Sequence, residues 1–147
     1  DLYQVNCTFY DALGRDDRAY LAARALQFFL PGVPQVYYVG LLAGHNDMEL
    51  LARSGVGRDI NRHHYSPAEI AAELQRPVVQ RLFALIRLRN SHPAFGGEFQ
   101  LLDSAETVLQ LRWAHAADWA ELCIDYASGA VQLSYSEAGE ARTLSLE

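Results

Sequence analysis

Lysine is absent from this 147-residue sequence: all 12 basic residues are arginine, set against 18 acidic ones for a net charge of −6. No broad cationic surface is therefore available to neutralise a phosphate backbone, which argues against nucleic-acid binding. The arginines could serve carboxylates, phosphates and sugar hydroxyls through their planar forks, or could reflect genomic base composition. Cysteine is scarce as well. Cys7 and Cys123 are far apart in sequence with no second thiol near either, so neither a disulfide framework nor a four-ligand zinc site can be read from them. A reducing cytoplasm fits that usage. Long apolar runs are missing too: Ala19 to Val39 is interrupted by Arg24, Gln27, Pro31, Gly32, Pro34 and Gln35, short of the roughly 20 residues that span a bilayer. The sequence opens on Asp1 with no methionine and no charged-then-apolar leader, and the expectation is a piece of a longer protein.

Half of the residues are hydrophobic and 20% charged, an ordinary globular composition. From Asp17 to Leu30, Leu21, Ala22, Ala25, Leu26, Phe28 and Phe29 follow the spacing of a helix with a wide buried face. Asp16 or Asp17 can cap its start, and Pro31-Gly32 ends it. Val33 to Gly40 is β-branched and aromatic, which predicts a buried strand of a parallel α/β sheet or barrel. The polar stretch from Leu41 to Tyr65 has one brief helical turn near Asp47 to Ala52, and its length outside regular structure points to function or disorder. Ser66-Pro67-Ala68-Glu69 has the cap, proline and glutamate of a helix start, and Pro77 opens a further helix through Asn90. After the helix-breaking segment Ser91 to Gly97 the period changes to two. Five short strands are predicted there, with turns at Ser128-Gly129 and Ala138-Gly139. The predicted division is residues 1–95 and residues 96–147, the latter a small antiparallel β domain.

Four blocks carry a family pattern: DLYQVN at Asp1 to Asn6, PGVPQVYYVG at Pro31 to Gly40, LLAGHNDMELL at Leu41 to Leu51 and GRDINRHHYS at Gly57 to Ser66. In this order they resemble the sucrose phosphorylases, glucosyl-transferring members of the alpha-amylase family. The likeness is close over about the first 95 residues and only general beyond them. It implies the C-terminal portion of a (β/α)8 barrel, with Val33 to Gly40 as its eighth strand, followed by the small β domain. The parent would convert sucrose and phosphate to α-D-glucose 1-phosphate and fructose by a retaining double displacement, without cofactor or metal, in the cytoplasm and as a homodimer. Retention by this route needs two carboxyls about 5 Å apart. In the family these follow earlier strands, so the resemblance implies that this polypeptide alone is inactive and holds no catalytic residue.

The substrate-binding residues implied are Asp1, Leu2, Tyr3 and Gln4, as a mobile loop that receives fructosyl or phosphate, and Arg58, as the arginine that contacts glucose. The chemistry suits them. Asp1 and Gln4 can bond hydroxyls, phosphate favours a withdrawn Asp1 because like charges repel, and a buried guanidinium fork can serve a carboxylate and a sugar hydroxyl together. Outside that context, Asp1 to Gln4 reads as a loop end and Arg58 as a solvated arginine. Asp59 and Arg62 are expected to hold the loop through local ion pairs. His45, Asp47 and His63-His64 lack zinc-ligand spacing, and Asp16-Asp17 lacks the rest of a calcium loop. Trp113, Trp119, Tyr126 and Tyr135 read as core sooner than as a sugar platform. Rival readings are a sucrose 6-phosphate or glucosylglycerate phosphorylase, and a non-catalytic carbohydrate-binding or interaction module.

Overall fold

The alternation of apolar residues after Gly97 is realised as a five-stranded antiparallel meander: β1 (Glu98–Leu102), β2 (Val108–His115), β3 (Asp118–Asp125), β4 (Ala130–Glu137) and β5 (Glu140–Leu144), paired in chain order. The computed structural model describes residues 5–146. Register follows the side chains. Leu101 pairs with Leu111, Leu111 with Leu122, Leu122 with Leu133 and Leu133 with Leu144, one leucine from each strand in a single row. The three central leucines are buried, so slipping any inner strand by one residue would turn its leucine to the other face. Two-residue loops join β2 to β3 and β4 to β5. In the second, Ala138 (φ 52°) and Gly139 (φ 82°) are both left-handed, the backbone that matches strand twist in a tight hairpin.

Among the described residues six helices precede the sheet: α1 (Phe9–Ala12), α2 (Asp17–Phe29), α3 (Tyr38–Leu41), α4 (Met48–Ser54), α5 (Pro67–Glu73) and α6 (Pro77–Ser91), with 3-10 turns at Gly57–Asn61 and Pro93–Gly96. The Asp16 carboxylate accepts from the N–H groups of Arg18 and Ala19, as its capping role requires. None of these helices is long and apolar enough to cross a membrane.

The chain divides into two compact units. One holds the described residues up to Tyr20 together with Gln35–Gln80; the other holds Leu21–Pro34 and the described residues from Arg81 onward. In the second unit the end of α2 meets the sheet through aromatic rings. Phe29 stacks edge-on against Phe95, Phe95 lies against Trp113, and the Trp113 indole N–H donates to the Phe29 carbonyl at 2.7 Å. Arg89 of α6 lies over Phe95 and Trp113 and donates to the Gly32 carbonyl. His92 and the buried Ser136 close another side: His92 Nε2 lies 2.7 Å from the Ser136 carbonyl, whose hydroxyl accepts from the Trp119 N–H.

The strand predicted at Val33 to Gly40 is not formed. Residues 33–37 have no regular structure and Tyr38–Leu41 is a short helix, with Val33 90% exposed. An interior parallel strand takes hydrogen bonds from neighbours on both edges. Among the described residues every strand belongs to the antiparallel meander, so this apolar segment has no ladder to join, and Pro34 removes one donor besides.

Candidate functional site

The first unit is organised around loop-to-loop hydrogen bonds. Asn46 Oδ1 accepts from the Thr8 N–H at 2.7 Å, and the Asn46 N–H donates to Asp11 Oδ2 at 2.9 Å. The Asn61 amide lies at 3.5 Å from the Cys7 carbonyl, and the Asn6 amide packs against Gly57 so closely that a Cβ there would sit 2.9 Å from its nitrogen. The segment that follows Asp1–Gln4 is therefore held against the turn that carries Arg58. Asp1, Leu2, Tyr3 and Gln4 themselves lie outside the described residues.

Arg58 stands in the 3-10 turn Gly57–Asn61, and its side chain is exposed. No ion pair joins it to a carboxylate among the described residues. The turn itself is closed by main chain: the Asp59 N–H donates to the Val56 carbonyl at 2.9 Å and the Arg62 N–H to the Asp59 carbonyl at 3.1 Å. These backbone bonds take the role that local ion pairs of Asp59 and Arg62 were expected to fill, because a 3-10 turn satisfies its own donors within three residues.

Beside the turn a cavity of about 430 Å³ is lined by His45, Asp47, His63, Tyr65, Glu69 and Arg76 among others. Burial pushes the Tyr65 hydroxyl up to about 12, so it stays a neutral donor. Arg76 is spoken for: it meets Glu73 at 2.5 Å, donates to the Leu42 and Ala43 carbonyls, and lies over the Tyr10 ring. His63 Nδ1 is 2.6 Å from Asp47 Oδ2. No group of three or more His, Cys, Asp or Glu side chains among the described residues is arranged to hold a metal ion. The His63–Asp47 contact was not read from the sequence, where 16 residues separate the partners; the signal was that Asp47 and Ser66-x-x-Glu69 are both helix-cap positions on either side of it. In the sheet, Trp113 is buried and Tyr126 is exposed, so the aromatics do not form one platform.

The chain shares its fold with a solved phosphorylase. The crystal structure of the sucrose 6F-phosphate phosphorylase from Thermoanaerobacter thermosaccharolyticum superimposes with a TM-score of 0.91 at 50% identity, over 95% of this chain and 29% of that one. The sucrose phosphorylase of Agrobacterium vitis is 56% identical over 136 residues, and the glucosylglycerol phosphorylase of Marinobacter adhaerens is 50% identical over 145. Those matches take in 92% and 97% of this chain but 28% and 30% of the relatives. No family model matches it. The class that these relatives define is thus that of the phosphorylases named for sucrose and related glucosides. The chain belongs to the sucrose phosphorylases and their relatives, of whose length it spans less than a third.

Proposed function

We propose that this chain is the C-terminal part of a sucrose phosphorylase, closing its (β/α)8 barrel with residues 1–95 and ending in a small β domain of residues 96–147. The supporting observation is the 56% identity to a sucrose phosphorylase across 92% of the chain. The parent transfers glucose from sucrose to phosphate, releasing fructose and α-D-glucose 1-phosphate, through a β-glucosyl enzyme whose two inversions give net retention. Its nucleophile and general acid/base are carboxylates outside this sequence, so the chain alone is inactive. In that setting residues 33–37 gain the neighbouring strands that a parallel sheet supplies. The site contribution of this chain is the loop Asp1–Gln4, for fructosyl or phosphate, and Arg58, for glucose. A cytoplasmic homodimer is the form expected for the parent.

Sucrose 6-phosphate and glucosylglycerate remain the rival donors, and rates of phosphorolysis of all three by the full-length parent decide among them, with sucrose expected fastest. Arg58→Lys in that parent tests the site. A bidentate charged hydrogen bond lost from a closed pocket is worth ~1.5–3 kcal/mol, so kcat/KM for sucrose should fall roughly 10- to 100-fold. An unchanged kcat/KM would remove Arg58 from the pocket.

A further inference from the structure

The His63 imidazole lies between the starts of two helices. Nδ1 is 2.6 Å from Asp47 Oδ2, and Nε2 is 3.4 Å from Glu69 Oε1. Each carboxylate keeps its other oxygen for a helix end: Asp47 Oδ1 accepts from the Leu50 N–H at 2.7 Å, and Glu69 Oε2 from the Ser66 N–H at 2.7 Å. A neutral imidazole has one N–H and can serve one of these carboxylates. The imidazolium has two and can serve both.

The segment enclosed between these partners contains the Arg58 turn. It is fastened at the same point, because the Asp47 N–H donates to the Ile60 carbonyl at 2.7 Å. Whatever fixes Asp47 therefore fixes Ile60, two residues from Arg58. The far end of the loop is held independently: the Tyr38 hydroxyl donates to the His63 carbonyl at 2.8 Å, and the Tyr65 ring packs edge-on against the imidazole with centroids 4.5 Å apart. We propose that His63 is a positioning residue for Arg58, and that its imidazolium clasps Asp47 and Glu69 together so as to hold the 55–62 turn in place. The link to glucose rests on the reading of Arg58 given above; the clasp itself does not.

The titratable groups facing the imidazole are Asp47 at the start of α4, Glu69 on α5 and Tyr65 on its own segment, with Tyr38 of α3 on its carbonyl; Arg53 of α4 acts on Asp47. His45, Glu49, Glu73 and Arg76 line the adjoining cavity. The Asp47 hydrogen bond holds the imidazole above its ordinary value of 6.5, while the Leu50 and Ser66 N–H groups hold Asp47 and Glu69 below the usual carboxylate range. A raised histidine contributes fully below pH 6.5 and loses its contribution as the pH climbs through the raised value; depressed carboxylates lose theirs only in acid. The clasp is accordingly complete below pH 6.5 and opens as the pH climbs through the raised value of the imidazole.

The experiment compares the full-length polypeptide that carries this sequence with its His63→Gln variant, by amide exchange and by kinetics. Exchange over 55–62, corrected for intrinsic rates, should be several-fold faster in the variant at pH 6 and equal at pH 9, with the sheet peptides over 108–125 unchanged. The ratio of wild-type to variant kcat/KM should fall from about 5–10 at pH 6 to near 1 at pH 9. In an Arg58→Lys background His63→Gln should cost nothing further. Equal exchange at pH 6 overturns the clasp, and independent, multiplicative kinetic losses overturn its action through Arg58. If Arg58→Lys is itself silent while exchange responds to pH, the clasp stands and the glucose contact fails.

Discussion

Gly97 and Gly96 are neighbours with opposite constraints. A Cβ at Gly97 would overlap the Ala114 carbonyl oxygen and approach its carbon at 2.7 Å, whereas one at Gly96 would meet nothing within 4 Å. The first clash is with backbone of a paired strand, so relief requires moving β2. Gly97→Ala should destabilise by ~3 kcal/mol, near the upper end for overpacking, and Gly96→Ala should change stability by under ~1 kcal/mol. Urea denaturation of the two variants, side by side, checks the contrast; equal midpoints would refute it. The sequence showed a Gly-Gly break here but could not distinguish its members, because the distinction lies in a strand that arrives 17 residues later. Arg58 divides similarly. Its family context was legible, whereas its turn being closed by main-chain bonds depends on the local backbone path.

At the level of elements, the helix ends were the most readable features. Ser66 accepts from the Glu69 N–H and Glu69 returns a bond to the Ser66 N–H, the reciprocal box that the spacing predicted. No residue of α5 is buried, so this helix depends on its caps more than on packing. Ser66→Ala should cost ~1 kcal/mol, seen as roughly fivefold faster amide exchange over 67–73 with the sheet unaffected. Unaltered exchange would mean that other contacts hold α5. The five strands were legible for an equally local reason, since alternation and turn residues suffice for an antiparallel meander. The segment at Val33 to Gly40 failed because its composition says only that it suits a sheet. Whether it becomes a strand depends on partners, and those are not in this sequence.

For the molecule as a whole, the exposed apolar side chains Val33 and Tyr37 are what a barrel strand would bury against its neighbours. Produced by itself, the 147-residue chain should self-associate, and co-expression with the remaining barrel of a sucrose phosphorylase should give a complex that phosphorolyses sucrose. A sharp, concentration-independent calorimetric transition from a monomer that binds sugar would instead favour an independent module. The two compact units each draw on distant stretches of chain.

Composition, caps and periodicity were enough for the acidic, lysine-free character, for most helix ends and for the meander, because each depends on residues within a few positions of one another. Four short blocks were enough for the family. The placement of Asn6 on Gly57, the meeting of His63 with Asp47 and Glu69, and the absence of a strand after Pro31 depended on loops returning across many residues. Those returns are set by the packed backbone, where a hydrogen bond needs its partner within about 3 Å, and no local pattern specifies which distant group will be there.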